Sequence, residues 1–386
     1  MVAARVRTIA PSVTFALEEK AKRMQLEGIP VISFGIGQPD FPTPDNIKQA
    51  GEHAIRDNRT GYTAATGVLE LKQAIASKLL HENDLTYEAS QIAVGAGGKA
   101  ALYHLFLALL NPGDEVIILN PFWVSYPEQI RLAGGIPVFV GCDRSSFEPD
   151  IEALEKNITG KTKIIIVNSP NNPCGAVYLH DTLVAIAEIA RQHDIFILSD
   201  EVYEHFYYGA KPVSIAALSA DAYARTIVCN AVSKTYSMTG WRIGFLACAD
   251  SDIIKAYGAI QGHTSSNPCS IAQYASVEAY QGDQESVGIM RATFLRRRDR
   301  MLELLKTIPG LTCAPPPGAF YCFPRYDLSL PSAEVAERIL EEAHLVVVPG
   351  DPFGMESYIR LSYAVKDAEI EEGLERLRVW FSSQVK

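Results

Sequence analysis

The sequence predicts an α/β fold, a mostly parallel central sheet covered by helices, with a smaller α+β unit beside it. Three observations predict it. Seven apolar runs, at 91–95, 115–119, 136–140, 163–168, 195–199, 226–229 and 243–248, are continuous rather than alternating, as strands buried on both faces are. Helical periods fall between many of these runs, which is the strand–helix alternation of a parallel sheet. The punctuation then changes: a long helical region is followed by short strands close together. A chain of 386 residues, 48% of them hydrophobic, suits about two domains with substantial cores.

In chain order, residues 14–26 carry an amphipathic helical pattern. VISFGIGQPDFP at 31–42 reads as a strand that breaks into a Gly/Pro loop. Residues 45–56 and 69–83 read as helices, as do 99–110 and 181–193 between strands and 252–262 after the last of the seven. From about 269 to 308 one helical region is expected. Strands follow at 311–313, 319–323, 345–348 and 358–362, and a helix over 367–381 closes the chain. The expected division is a large domain over 45–280 and a small domain made of 1–44 with 281–386.

Charge and cysteines narrow the function. Lys and Arg total 35 against 45 Asp and Glu, a net charge of −10, which is a poor match to nucleic acid or an anionic membrane. The basic run Arg296-Arg297-Arg298-Asp299-Arg300 falls in a helical pattern and reads as a solvated face. Seven cysteines, without a CxxC, fit reduced thiols in a cytoplasmic protein. No signal peptide and no run of transmembrane length is expected.

The most informative stretch is VSKTYSMTGWRIG at 232–244. Lys234 ends an apolar run and Arg242 follows eight positions on. A lysine amine forms a Schiff base with an aldehyde, and a fixed arginine holds a phosphate. A solvated lysine needs neither flank. In open α/β sheets ligands sit beyond the carboxyl ends of the strands, and other polar motifs fall there: NSPNNPCG at 168–175, SDEVY at 199–203 and GAGG at 95–98 before a helix. Each has an ordinary reading. Asp200 suits a helix N-cap, Asn172 a turn, Gly97-Gly98 a tight turn, Trp123 core packing, Lys99 a solvated helix start and Arg360 an edge strand. Ordinary turns do not explain the ordered set. A metal site from His193, Asp200, Glu201 and His205 lacks recognisable ligand spacing.

The set resembles the motifs of class I, fold-type I aminotransferases that use pyridoxal phosphate, and is most similar to the prokaryotic-type aspartate aminotransferase branch. The resemblance implies pyridoxal 5′-phosphate as cofactor and a large cofactor-binding domain of that fold type. It implies Lys234 as Schiff-base residue and proton carrier, Asp200 against the pyridine nitrogen, and Tyr203 and Asn172 on the phenolate oxygen. Gly97, Gly98, Lys99 and Arg242 would hold the phosphate, and Trp123 would stack on the ring. Tyr62 would reach the phosphate of a neighbouring subunit, which implies a homodimer with shared active sites. Gly37, Arg360, Asn172 and Trp123 would meet the substrate, and Lys99 would read a distal carboxylate. The implied reaction is ping-pong transamination between an L-amino acid, aspartate first, and 2-oxoglutarate. The alternatives are aromatic or aliphatic donors, stacking near Phe15 or Trp123, and a β-lyase of the same fold. Two positions depart from the family: Ala231, where Ser or Gly is usual, and Cys174, where threonine is common.

Overall fold

The structure is a computed structural model that describes residues 13–384 together with Ala3, Val6 and Ile9, with side chains from Ala16 onward. Its elements are α1 (Val13–Leu26), β1 (Ile32–Ser33), α2 (Asp45–Arg56), α3 (Leu69–Asn83), β2 (Ile92–Gly95), α4 (Gly98–Leu109), β3 (Glu115–Leu119), α5 (Ser125–Leu132), β4 (Ile136–Val140), α6 (Ile151–Lys156), β5 (Thr162–Asn168), α7 (His180–Gln192), β6 (Phe196–Asp200), α8 (Ala220–Arg225), β7 (Thr226–Ala231), α9 (Val232–Thr235) and β8 (Gly244–Cys248). Then come α10 (Ser251–Thr264), α11 (Ser270–Gln281), α12 (Glu285–Leu305), β9 (Leu311–Thr312), β10 (Tyr321–Cys322), β11 (Arg325–Tyr326), α13 (Ser332–Ala343), β12 (Leu345–Val346), β13 (Val348–Pro349), β14 (Ile359–Ser362) and α14 (Asp367–Gln384).

Seven strands form the central sheet in the order β2-β8-β7-β6-β5-β3-β4, parallel except for β8, which is antiparallel to both neighbours. Alternate residues of each strand feed opposite faces. Ile117, Ile165 and Ile197 pack with Leu183 and Ile186 of α7. Ile118, Ile166 and Leu198 pack with Leu102, Leu105 and Phe106 of α4. Burial on both faces is why these strands read as unbroken apolar runs. The register aligns Asn168 with Asp200 and Asp200 with Cys229, so the ends of β5, β6 and β7 form one edge.

A separate apolar cluster joins Leu17, Ala21, Val31 and Phe34 to Phe294, Met301, Val335, Ile339, Leu345, Ile359, Leu374 and Phe381. There β1 pairs in parallel with β12, and β14 lies between β10 and β13.

Several expectations need correction. Over 31–42 the strand is Ile32–Ser33 and the Gly/Pro loop follows it, so the strand part is shorter than the apolar residues suggest. The helical region expected over 269–308 is two helices, parted at Gly282, where a Cβ would lie 2.2 Å from Glu278 Oε1. The basic run is only half solvated. Arg296 and Arg300, one turn apart, keep 62% and 47% of their side chains exposed, whereas Arg297 and Arg298 keep 9% and 15%. The ordinary alternative for Asp200, a helix N-cap, does not apply, since a turn follows it. Among the described residues no helix is long and apolar enough to cross a membrane.

Candidate active site

The edge formed by β5, β6 and β7 collects most of the residues singled out above. Lys234 sits in α9, a single turn entered directly from β7. Its flanks are pinned from behind. Asn230 Nδ2 donates to Glu204 Oε1 at 2.5 Å, and Thr235 Oγ1 lies 3.2 Å from His205 Nδ1. Lys78 and Asn83 also bond Glu204, which fixes that carboxylate beneath the turn. Lys234 Nζ donates to the Gly37 carbonyl at 2.5 Å. Loss of water, then repulsion from Arg360, Arg242 and Lys99, lowers the Lys234 pKa to about 8, with Asp200 opposing.

Asp200 is buried at the end of β6. The Tyr126 hydroxyl donates to its Oδ2 at 2.5 Å and the Val202 amide to its Oδ1 at 3.3 Å. Asn168 Nδ2 donates to its carbonyl at 2.9 Å. Burial pushes the Asp200 carboxyl above its ordinary range, against the pull of these donors and of Lys234.

Arg360 is buried on β14, yet it faces the same edge. Its Nη1 donates to Asn172 Oδ1 at 2.9 Å and its Nη2 to the Gly35 carbonyl at 2.7 Å. Its Nε, also buried, has no partner among the described residues. Asn172 Nδ2 donates to the Tyr203 hydroxyl at 3.4 Å, and the Tyr203 and Tyr321 hydroxyls are 2.9 Å apart. Burial, then Tyr321 beside it, holds the Tyr203 phenol well above its ordinary range, so it stays protonated near neutrality.

Across the edge, α4 opens at Gly97, whose φ of +87° is left-handed. A Cβ there would lie 2.4 Å from an Arg242 nitrogen, and one on Gly98 would touch the Ala231 methyl at 3.6 Å. The glycines let Arg242 close on the helix start, where first-turn amides lack helical partners and the dipole favours an anion. Arg242 itself is held at φ +58°, a conformation that costs a non-glycine residue on the order of 1–3 kcal/mol. Lys99 Nζ lies 5.0 Å from the centre of the Trp123 ring, which meets Tyr126 edge-on at 5.3 Å. Partial loss of water, then Arg242, lowers the Lys99 pKa.

The residues brought together are thus Gly37, Gly97, Gly98, Lys99, Trp123, Asn172, Asp200, Tyr203, Lys234, Arg242 and Arg360. Tyr62 stands apart: it is 91% exposed and shares no hydrogen bond with this group among the described residues. The Phe15 side chain lies outside the described residues. Three contributors were not singled out: Tyr126 on Asp200, Tyr321 on Tyr203, and the Gly35 carbonyl on Arg360. Tyr126 is three residues after Trp123 at a helix start, a signal the sequence does carry. Tyr321 sits in an aromatic run, AFYCF, that resembles plain core.

A seven-stranded, mostly parallel sheet with a lysine, a carboxylate and an anion-binding helix start at one edge defines a class of proteins. The family model for aminotransferase class I and II matches residues 29–377, and the chain belongs to that family. It is similar to the aspartate aminotransferase of Bacillus sp. (strain YM-2), 46% identical over 98% of each chain. It is also similar to the aspartate/prephenate aminotransferase of Cereibacter sphaeroides, 44% identical over 96% of each. The solved structure of Thermus thermophilus aspartate aminotransferase with maleate superposes with a TM-score of 0.94 at 39% identity, covering 98% of this chain and 99% of that one.

The protein is a pyridoxal-phosphate-dependent aminotransferase. The residues present fit that group. The Gly97–Gly98 cradle, which a Cβ would fill, faces a guanidinium, and Lys234 is an amine with a lowered pKa. Bound there, the cofactor supplies an aldehyde for an amine and an electron sink for the substrate's Cα.

Proposed function

We propose that the enzyme transfers the amino group of L-aspartate to 2-oxoglutarate by a ping-pong route, with these residues in the following roles. Arg242 and the amides of Gly98 and Lys99 hold the phosphate. Trp123 covers one face of the ring. Asp200 meets the pyridine nitrogen, and Tyr203 and Asn172 donate to the phenolate oxygen. Lys234 links to the aldehyde and later carries the proton from the substrate's Cα. Arg360, with its open Nε, and the Gly37 backbone take the α-carboxylate, for which a planar guanidinium is the matched donor.

Every amino acid carries an α-carboxylate, so Arg360 alone does not select aspartate. Lys99 carries the substrate reading. Its ammonium lies over Trp123, 5.0 Å from the ring centre, and forms no ion pair among the described residues. A distal carboxylate there would gain roughly 1.5–3 kcal/mol, about 10- to 150-fold in specificity. The relatives named aspartate aminotransferase support this reading. The test is kcat/KM for aspartate, alanine and phenylalanine in wild type and Lys99→Ala. Aspartate is expected to be preferred, and the preference to collapse in the variant. A preference that is absent, or survives unchanged, refutes the role of Lys99. A second reading adds prephenate as acceptor, favoured by relatives named aspartate/prephenate aminotransferase. Prephenate in the same assay decides it.

We also propose a homodimer with sites at the subunit interface. Tyr62, exposed by 91% and matching the motif tyrosine that reaches across, supports it. Light scattering at assay concentration is expected to give twice the chain mass, and an active monomer ends the proposal. The division into 45–280 and 1–44 plus 281–386 is proposed on the apolar cluster that joins both chain ends. A cytoplasmic location is proposed on the free cysteines.

A further inference from the structure

Half of the basic run on α12 has no part in the site described so far. Arg297 is turned inward. Its Nη1 donates to Asp40 Oδ1 at 2.7 Å and its Nε to Asp367 Oδ1 at 2.8 Å. Its guanidinium lies 5.7 Å from the centre of the Phe41 ring. Phe41 in turn meets Phe294, one turn earlier on α12, edge-on at 5.7 Å. Asp40 and Phe41 belong to the loop after β1 that enters the site.

That loop touches the reaction centre twice, through the Gly35 carbonyl on Arg360 and the Gly37 carbonyl on Lys234. Its position is tight, for a Cβ on Gly37 would lie 2.8 Å from the Tyr321 hydroxyl. Its far end is tied to the lysine segment. Ser237 Oγ donates to the Phe41 carbonyl, Thr43 Oγ1 to the Ser237 carbonyl at 2.8 Å, and Trp241 Nε1 to Thr43 Oγ1 at 3.0 Å. These bonds fix residues 41–43. Between Gly37 and Asp40 two side chains anchor the stretch: Gln38 Oε1 accepts from Thr239 Oγ1 at 3.1 Å, and Asp40 pairs with Arg297. Of the two, Asp40 makes the charged contact, 23% exposed against 9% for Arg297.

We propose that Arg297, acting through Asp40, is a positioning residue for substrate binding. It holds residues 35–41 where the Gly37 backbone and Arg360 receive the α-carboxylate. A guanidinium suits this task because its fixed fork donates in two directions at once, to the loop and to the start of α14, while its face covers Phe41. A lysine offers a point charge and no fork. Asp367 is shared with the exposed Arg296, whose Nη1 donates to its Oδ2 at 2.7 Å, so losing Arg297 does not leave Asp367 without a cation. Asp40 has no such second partner in the ion pairs of the described residues. The inference rests on the carboxylate-binding role given to Arg360 and Gly37.

The experiment compares the holoenzyme of wild type, Arg297→Met, Asp40→Asn, the double variant and Arg296→Ala, with aspartate as donor. KM is expected to rise about tenfold or more in each of the first two, with kcat changed by less than about threefold. The double variant is expected to be no worse than the weaker single, because the two side chains act as a unit. Arg296→Ala is expected to leave KM unchanged. Amide exchange of residues 35–41 is expected to speed up in both single variants while that of β5–β7 does not, which separates a released loop from general loosening. An unchanged KM in Asp40→Asn, strictly additive effects in the double variant, or a fall in kcat at constant KM overturns the proposal. Should Arg297→Met fail to fold, Asp40→Asn and Arg297→Lys carry the test, the latter expected to raise KM as well. Arg360→Lys serves as reference. If it too leaves KM unchanged, the carboxylate reading fails; if it raises KM and the Arg297 pair does not, the positioning role alone fails.

Discussion

Lys234→Ala is expected to bind pyridoxal phosphate without a covalent link and to lose nearly all transaminase turnover. The two tasks proposed for the amine disappear with it: attack on the cofactor's aldehyde, and proton transfer at the substrate's Cα. Each needs the uncharged amine. An ordinary lysine, titrating near 10.4, offers very little of it at neutral pH. Here burial and three neighbouring cations lower the pKa to about 8. Roughly a tenth of the population is then uncharged at pH 7 and half at pH 8. The sign is definite: lowering the pKa favours the neutral form, so the rate at which apoprotein takes up the cofactor is expected to climb with pH up to about 8 and then level off. Borohydride reduction followed by mass spectrometry checks the covalent link. A reducible adduct that persists in Lys234→Ala would falsify the assignment, and a climb continuing to pH 10 would remove the electrostatic explanation.

The electrostatics of the site run against those of the chain. The protein carries a net charge of −10, yet Lys99, Arg242 and Arg360 all lie close enough to depress Lys234. Asp200 is the carboxylate that opposes them. Confined cations of one sign in an otherwise acidic molecule concentrate anions locally. A phosphate-bearing cofactor and a dicarboxylate substrate are suitable occupants. The same acidic surface disfavours nucleic acid.

The sequence carries the site well because the chemistry lies where periodicity stops. β5, β6 and β7 are buried on both faces, so their apolar runs are unbroken and the polar residue that ends each run stands out. Asn168, Asp200 and Lys234 are legible for that reason. Helices α2 and α3 match their expected bounds of 45–56 and 69–83 because each is a single amphipathic period ended by a turn. Arg297 was not legible. Its neighbours Arg296, Arg298 and Arg300 give the run a uniformly basic look, and only the helix's rotation against residues 40–41 and α14 distinguishes the inward pair. Tyr126 and Tyr321 were hidden for a related reason: an aromatic ring in an apolar segment is ordinary core, and only the position of its hydroxyl assigns it more. Helix α13 was not anticipated either. Its buried face, Val335, Ala336, Ile339 and Leu340, has ordinary amphipathic spacing, a signal the sequence does carry.

Asp200→Ala is expected to cost orders of magnitude in turnover while the fold survives. The carboxylate's proposed task is to keep the pyridine nitrogen protonated, and an opposite charge at hydrogen-bond range shifts such a pKa by about 1–3 units. That is roughly 1.4–4 kcal/mol, or about 10- to 1,000-fold in rate if the electron sink sets the barrier. The residues around Asp200 set up opposing forces. Burial pushes the Asp200 carboxyl up, while Tyr126, the Val202 amide and Lys234 pull it down. With the cofactor held as proposed, a protonated ring nitrogen would add to the second group and favour the charged form of Asp200. Stability changes less. The substitution leaves the buried Tyr126 hydroxyl without its acceptor, a loss of about 1–3 kcal/mol. A domain stable by about 5–15 kcal/mol tolerates that. The informative measurement pairs kcat for aspartate with a thermal melt of the same preparation. A modest drop in melting temperature with a collapse in kcat separates the electrostatic role from a structural one. Turnover near wild type would remove Asp200 from the catalytic set, whatever the melt shows.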